Sequence, residues 1–261
     1  MYSFKTDFGE AIPTEVVAYD GTPGRLLHNR YALLYNDVVQ AALRARGISP
    51  PLVWTRSTWA GGQRHPIQCS GDSNCTWEDL ATTLRSGLSM AMSGHSFWSH
   101  DIGGFAGTPE PELCVRWAQF GLLSPFSRFH GTTSRAPWDF GEDAERAVKH
   151  VAMLRMSLIP HLRALAAESI AETVPMMRPV AFDYPELPEA TAADLQYLLG
   201  PDLLVAPFFR PGGKRRLWFP PGTWTHYMGS STYQGPAWME ISLSLEEAPL
   251  FVRKGALIGA C

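Results

Sequence analysis

The chain has 261 residues, of which 45% are hydrophobic and 18% are charged, and its formal net charge is −3. This apolar content can bury a real core, and the length suits one large domain or two smaller ones. The slightly acidic balance argues against a nucleic-acid-binding protein, which needs a basic face. No apolar run reaches the roughly 18 residues of a membrane span, so no membrane partner is expected.

The first residues and the cysteines bear on the cellular compartment. The segment MYSFKTDFGE lacks the basic start and the apolar stretch of a signal peptide. The four cysteines include no CxxC pair, which argues against a disulfide framework. Both observations favour a cytoplasmic protein.

Candidate helices and strands alternate over residues 1–172. Apolar side chains near helical spacing predict helices over residues 28–46, 77–86 (with Thr76 as N-cap), 111–122 and 142–172, the last divided by Pro160. Short apolar runs predict strands over residues 51–55, 65–69, 88–92 (or on to residue 97) and 125–129, and the chain starts inside a further strand that ends before Asp7. Alternation of this kind indicates parallel βα units.

Polar side chains cluster where the candidate strands end. The clusters lie at residues 5–7, 56–57, 71–72, 99–101 and 128–130. In a (β/α)8 barrel the carboxyl ends of the strands surround the active site, and about five such ends correspond to five of the eight βα units. We therefore predict an α/β fold containing a partial (β/α)8 TIM barrel, about strands 4–8. We also expect the chain to be the C-terminal portion of a longer protein.

The pattern changes after about residue 173. Short β-rich runs appear at residues 203–209, 215–219, 224–227, 238–243 and 250–252. Pro and Gly separate them, and Pro220-Pro221-Gly222 reads as a turn. This pattern predicts an antiparallel β-sandwich domain over residues 173–261, after a barrel part over residues 1–172.

Two carboxylates among these clusters, Asp7 and Asp72, suit the hydrolysis of a glycosidic bond. A retaining glycosidase places two carboxyl groups about 5–5.5 Å apart across that bond. Both residues follow candidate strands, and Lys5 favours the ionised form that a nucleophile at Asp7 needs. Most Asp residues are solvated or cap backbone groups, so spacing alone does not establish the pair.

Longer motifs carry a resemblance to a known family. They are FKTDFGEAIPT (residues 4–14), RS (56–57), GD (71–72), FWSHDIGGF (97–105), FGLLSPFSRFHG (120–131) and TVPMMRPV (173–180). In order and spacing the chain resembles glycoside hydrolase family 31, and within it the bacterial α-xylosidases. The similarity covers nearly the whole chain.

The resemblance implies roles for individual residues. Asp7 corresponds to the nucleophile of a double-displacement mechanism, which forms a covalent glycosyl-enzyme, and Asp72 to the general acid/base. The remaining candidates are expected to bind the sugar: Lys5, Phe8, Arg56, Asp101, Phe105 and His130. Trp98 joins them as a candidate platform, with a place in the core as the alternative. Glu10 either contacts the site or caps local backbone groups.

The resemblance also bears on the substrate. Family α-glucosidases usually carry W-x-D-M-N-E at the nucleophile, whereas this chain has FKTDFGE. That variant implies α-linked xylose, which lacks the 6-hydroxymethyl group, in an oligosaccharide or an α-xyloside. Cys69 stands where the family typically has Trp, so this chain lacks the aromatic platform that the family places beside the acid/base. The alternatives are an α-glucosidase or another α-glycosidase of the family, or an inactive truncated carbohydrate-binding fragment.

A metal-dependent hydrolase of another barrel class is a further alternative. His95, His100 and Asp101 offer imidazole and carboxylate ligands that suit zinc, but no third His stands at a recognisable spacing. The plainer interpretation is that His100 orders the site by hydrogen bonding. We expect no metal and no cofactor, and a homo-oligomer is conceivable for a longer parent protein.

Overall fold

The structure is a computed structural model that describes residues 3–258. Contacts divide the chain into two compact units, Met1–Gly71 and Asp72–Cys261. The first unit contains the strands β1 (Ser3–Thr6), β2 (Leu52–Thr55) and β3 (Ile67–Cys69) and the helices α1 (Gly24–Leu27) and α2 (Arg30–Ala45). The proposed division into residues 1–172 and 173–261 stays a prediction.

Three parallel strands form the sheet of the first unit, in the order β1-β2-β3. Thr6 pairs with Thr55, and Thr55 pairs with Gln68, so the three strands end at one edge. The helix α2 connects β1 to β2, as parallel pairing requires. The predicted alternation of strand and helix is therefore present in this unit.

Buried polar side chains join the strand ends of this sheet to α2. Thr6 Oγ1 donates to Asn36 Oδ1 at 2.6 Å, and Asn36 Nδ2 donates to the carbonyl of Ser57 at 2.9 Å. Thr55 Oγ1 donates to Gln68 Oε1 at 2.6 Å. Because a buried polar group without a partner is costly, these bonds favour this register over a slipped one.

The second unit begins with helices and short strands. Its elements up to residue 172 are α3 (Trp77–Met92), β4 (Phe97–Ser99), β5 (Asp101–Ile102), α4 (Pro111–Gly121), β6 (Arg128–Phe129), α5 (Glu142–Ser157) and α6 (Ile159–Glu172). Pro160 divides α5 from α6 as predicted, since proline is accepted in the first turn of a helix. Thr76 caps α3, and its hydroxyl accepts from the Asp79 backbone N–H at 3.1 Å.

The predicted strand over residues 88–92 is wrong, because these residues form the last turns of α3. Leu80, Leu84 and Leu88 are all buried and follow one another at intervals of four, the helical repeat. The short apolar run at 88–92 continues that buried stripe. The strand lies further on, at β4.

The rest of the second unit is dominated by one antiparallel sheet. Its strands are β7 (Met177–Pro179), β8 (Tyr197–Leu199), β9 (Leu203–Val205), β10 (Lys214–His226), β11 (Thr232–Ser242) and β12 (Leu250–Arg253), and the short helices α7 (Val180–Asp183) and α8 (Pro188–Ala192) lie between β7 and β8. The strand order is β11-β10-β12-β9-β8-β7. The antiparallel pairing expected of the predicted β-sandwich is therefore present, in a six-stranded sheet.

Two of the predicted strands, 215–219 and 224–227, are one strand. The residues Pro220-Pro221-Gly222, predicted as a turn, form a bulge inside β10, where the pairing with β11 shifts between Phe219 and Gly222. Proline lacks the N–H that a regular ladder needs, and a bulge accommodates it without ending the strand.

Both faces of β8 and β9, inside the antiparallel sheet, are buried. Tyr197, Leu199 and Leu250 belong to a core shared with α3, α4, α5 and α6. Their neighbours Leu198 and Phe251 belong to a second core, which contains apolar side chains of β10 and β11. Since alternate residues of a strand point to opposite faces, one layer of strands contributes to both cores.

Two expectations from the sequence were that the chain has no membrane span and no disulfide framework. Within residues 3–258, no helix combines the length and the apolar character that crossing a bilayer requires. Cys75 and Cys114 are free thiols, Cys69 is buried, and Cys261 lies outside the described residues.

The packing of α3 against Trp98 yields a stability prediction. A Cβ at Gly87 would lie 2.5 Å from the Trp98 ring. Gly to Ala in an exposed helix normally gains about 1 kcal/mol, but overpacking a core costs about 1–3 kcal/mol. Because a 2.5 Å contact forces the ring to shift, we take the upper part of that cost, about 2–3 kcal/mol, and expect Gly87→Ala to lower the free energy of unfolding by about 1–2 kcal/mol in urea titrations. Ser86→Ala, at an exposed position of the same helix, is the control, and equal stability of the two variants would contradict the packing argument.

Candidate active site

Asp7 lies directly after β1, between two cations. Its Oδ1 is 3.2 Å from Lys5 Nζ and 3.2 Å from Arg56 Nη1. Arg56 directly follows β2, and the parallel register of β1 and β2 brings the two strand ends together. The side chain of Asp7 is 51% exposed, so its carboxylate is accessible to a ligand.

The two cations set the ionisation of this carboxylate. Partial desolvation raises the pKa of Asp7, but the Lys5 ammonium, and after it the Arg56 guanidinium, outweigh that effect by hydrogen bonding and by charge. The pKa of Asp7 therefore lies below its ordinary value. A carboxylate in this setting stays ionised and available as a nucleophile.

Arg56 is itself held on two sides. Its Nε lies 2.8 Å from Glu10 Oε1, and its guanidinium stands 5.3 Å from the centre of the Phe8 ring. Glu10 thus contacts the site, the first of the two roles weighed for it. Phe8 is 68% exposed, so most of its ring remains open to a ligand.

The backbone after Asp7 turns in the left-handed region, at Phe8 (φ 56°) and Gly9 (φ 76°). A side chain at Gly9 would overlap the ring of Tyr35 from α2, and the Tyr35 hydroxyl donates to the Asp7 carbonyl at 2.9 Å. Tyr35 therefore fixes the backbone that presents Asp7. Sequence reasoning did not identify Tyr35 as part of the site. The nearest sequence feature was Gly9, which indicates a turn because it follows the end of a strand.

In the second unit, Asp101 pairs with a cation that the sequence reasoning did not single out. β5 and β6 are parallel neighbours, with Asp101 opposite Arg128. The Asp101 carboxylate, which is 1% exposed, forms an ion pair with the Arg128 guanidinium. Arg128 stands two residues before His130 in the SRFH segment. Its positive charge next to a candidate sugar-binding residue is the sequence feature that could have identified it.

Phe105 and His130 lie side by side, with ring centres 5.5 Å apart. The backbone N–H groups of Phe105 and Ala106 donate to the Ser73 carbonyl at 2.8 and 2.9 Å. Ser73 directly follows Asp72. These bonds therefore attach the segment that contains Asp72 to the loop that contains Phe105. Asp72, Phe105 and His130 are thereby gathered in one part of the second unit.

Arg135 holds this loop from inside, and sequence reasoning missed it. Its guanidinium is 4% exposed and donates to the carbonyl oxygens of Gly104 and Gly107 at 2.7 and 2.8 Å. It also donates to the carbonyls of Phe105, Thr133 and Ser134 and to the sulfur of Cys75. A planar group with five N–H donors suits a cradle of carbonyl oxygens.

Two predictions for this region need correction. Trp98 is 1% exposed and packs in the core, with its ring 6.3 Å from that of Phe120, so it has a packing role and offers no free face to a sugar. His100 was expected to hydrogen-bond, but neither ring nitrogen has a partner among residues 3–258. Instead its ring stacks on Phe120 at 4.3 Å, and burial lowers the pKa of His100 to about 3.

The candidate residues thus fall into two groups. The first unit brings together Asp7, Lys5, Phe8 and Arg56, and the second brings together Asp72, Phe105 and His130. Over the part of the chain that is described, no three His, Cys, Asp or Glu side chains form a group suited to hold a metal ion.

The hydrogen bonds from Arg135 to the backbone carbonyls around it, which we call the cradle, lead to a prediction. Arg135→Lys replaces five fixed donors by three on a flexible stem, which leaves buried carbonyl oxygens without partners. We expect the free energy of unfolding to fall by about 3 kcal/mol, measured by urea titration. Amide exchange at Gly104 and Phe105 should speed up. Arg163→Lys, an exposed control on α6, should change neither, and unchanged exchange in the Arg135 variant would refute the cradle.

Comparison with known proteins places the chain in a family. The model of the glycosyl hydrolases family 31 TIM-barrel domain matches residues 1–165, and that of the glycosyl hydrolase family 31 C-terminal domain matches residues 173–258. An alpha-xylosidase of Emericella nidulans is 39% identical over 98% of this chain, and the match covers 34% of that protein. Alpha-glucosidase 2 of Bacillus thermoamyloliquefaciens is 34% identical over 92% of this chain and 31% of that protein. The chain spans about a third of the length of these curated relatives.

A solved structure gives the same result for the fold. The cycloalternan-forming enzyme from Listeria monocytogenes, in complex with a pentasaccharide substrate, superposes with a TM-score of 0.90 and 30% sequence identity. The match covers 99% of this chain and 26% of that one. The predicted fold class, part of a TIM barrel followed by an antiparallel β domain, is confirmed. The chain belongs to glycosyl hydrolase family 31.

Proposed function

We propose that the protein is a retaining α-glycosidase that releases α-linked xylose from an oligosaccharide or an α-xyloside. In this proposal Asp7 is the nucleophile and Asp72 the general acid/base. The observation that carries it is the carboxylate of Asp7, accessible at a strand end and kept ionised by Lys5 and Arg56. Family membership supports the reaction class.

The proposed reaction proceeds in two displacements. First, Asp7 attacks the anomeric carbon, the bond to the leaving oxygen breaks, and the carboxylic proton of Asp72 passes to that oxygen. Next, the Asp72 carboxylate takes a proton from water, the water oxygen attacks the anomeric carbon, and Asp7 leaves. Two inversions at one carbon retain its configuration.

The other candidates receive supporting roles in this proposal. Arg56 and His130 would donate hydrogen bonds to sugar hydroxyls, where such bonds strengthen as positive charge develops on the sugar. Phe8 and Phe105 would offer apolar faces. Asp101 forms an ion pair with Arg128, and in this proposal Arg128 would orient the Asp101 carboxylate for a hydrogen bond from a sugar hydroxyl.

The choice of xylose rests on the segment around Asp7 and on similarity. The residues FKTDFGE carry Phe8 next to the nucleophile, and its exposed ring would leave no room for a 6-hydroxymethyl group. The relative from Emericella nidulans, named an alpha-xylosidase, is more similar to this chain than the Bacillus alpha-glucosidase. An α-glucosidase of the same family is the alternative.

Trapping the glycosyl-enzyme tests the nucleophile and the sugar together. A 5-fluoro-α-xylosyl fluoride should label the full-length protein, and peptide mass spectrometry should find the sugar on Asp7. The 5-fluoro-α-glucosyl fluoride should label it about tenfold to a hundredfold more slowly, the discrimination that one extra carbon group allows.

Two variants serve as controls for the trapping. Asp7→Asn should give no label, because an amide is a poor nucleophile, whereas Asp20→Asn, at an exposed loop position, should label normally. Label on another residue would overturn the assignment of Asp7. Faster labelling by the glucosyl reagent would favour the α-glucosidase.

The cations around Asp7 predict a pH effect. The nucleophile must be ionised, so turnover falls as the pH drops through the pKa of Asp7, which lies below its ordinary value of 3.8. Lys5→Met removes the largest lowering influence, so that pKa rises and the acid limb of kcat/KM moves to higher pH. Lys254→Met is the exposed control. An acid limb unmoved in the Lys5 variant would show that Asp7 does not govern it.

A further inference from the structure

A cavity of about 670 Å³ lies on the antiparallel sheet, and none of the candidate active-site residues lines it. Its walls come from the segment before β10, from the start of β10 and from the end of β11. We call it the basic cavity and define it by Arg210, Lys214, Arg215, Arg216 and Glu240. Its size falls within the range of sites for small ligands.

The charges on these walls are unbalanced. Four of the defining residues are cations, and Glu240 is the one carboxylate among the lining residues. Among residues 3–258, no ion pair engages the side chain of Arg210, Lys214 or Arg216. The carboxylate of Asp194, which influences Arg215, lies 2.7 Å from Arg85 Nε instead. The basic cavity therefore keeps a surplus of positive charge.

The guanidinium of Arg215 is held in place by backbone carbonyls, and that of Arg216 contacts a ring. Arg215 Nη1 donates to the carbonyl of Leu195 at 3.0 Å and to that of Pro207, and its guanidinium stands 5.6 Å from the Phe209 ring. Arg216 stands 5.4 Å from the Trp238 ring. Burial lowers the pKa of Arg215 to about 10, so the group is still charged at neutral pH.

This arrangement points to a specific kind of ligand. Phe209, the aromatic residue among those that line the cavity, contacts the Arg215 guanidinium. Guanidinium and ammonium groups are the usual partners of oxyanions, and groups fixed beforehand lose less entropy when they bind. An anion would also offset the cost of a partly buried charge such as Arg215.

We propose that the basic cavity binds an oxyanion, that is, a small ligand bearing a carboxylate, sulfate or phosphate group. The site is separate from the proposed glycosidase chemistry and does not depend on it. An acidic sugar and a free inorganic anion would both present the required group.

Calorimetric titration of the purified protein at fixed ionic strength tests this site. The probes are inorganic phosphate and glucuronate, with glucose as the uncharged control. The charge-reversal variant Arg210→Glu/Lys214→Glu changes two exposed cavity cations and spares Arg215, whose carbonyl contacts are structural. The matched variant Arg163→Glu/Lys254→Glu changes the net charge equally at exposed positions outside the cavity.

We expect saturable binding of phosphate or glucuronate and none of glucose. The cavity variant should bind at least about tenfold more weakly, the effect of losing one charge-assisted contact, and the matched variant within about twofold of the wild type. Tighter binding of glucuronate would identify an acidic sugar, and equal or tighter binding of phosphate an inorganic or phosphoester anion. Absence of saturable binding, or equal loss in both variants, would overturn the proposal.

Discussion

The parallel register of β1 and β2 is the constraint on which the candidate nucleophile depends. It places the ends of both strands at one edge, so that Asp7 and Arg56 meet although 49 positions separate them in the chain. A slip by one residue would turn every side chain of β1 to the other face of the sheet. The buried bond between Thr6 and Asn36 opposes such a slip, because it would leave both groups without partners.

The second group of candidates depends on backbone bonds rather than on a strand register. Ser73 accepts from the Phe105 loop, and Arg135 fills the inside of that loop with donors. The same guanidinium reaches Cys75, which follows Asp72 by three positions. The conformation of the Asp72 segment and that of the Phe105 loop are thus two aspects of one hydrogen-bond network.

The sequence predicted the parts of the fold that depend on local pattern. Pro160 divides two helices, Thr76 caps α3, and the polar clusters at residues 5–7 and 56–57 lie at the ends of β1 and β2, because each of these features follows from a residue and its near neighbours. The contact of Lys5 with Asp7 is of the same kind.

The errors and omissions concern contacts made at long range. Residues 88–92 looked like a strand because their apolar run is short, and only packing shows that it extends a helix. Trp98 was predicted to stack on a sugar because a sequence motif does not show whether a side chain is buried, and in the structure this one is. Tyr35 and Arg135 escaped notice because their partners are backbone carbonyls, which no residue letter reveals.

The two buried faces of β8 and β9 bear on how the two regions of this chain that match separate family models are joined. Side chains on one face of β8, β9 and β12 pack with the helices α3 to α6, and those on the other face pack with side chains of β10 and β11. Two regions that match separate family models therefore share a wall of side chains. A recombination event near residue 172 would have to preserve this packing. Exchange of the C-terminal region between relatives is therefore restricted to those whose β8 and β9 side chains fit the same helices.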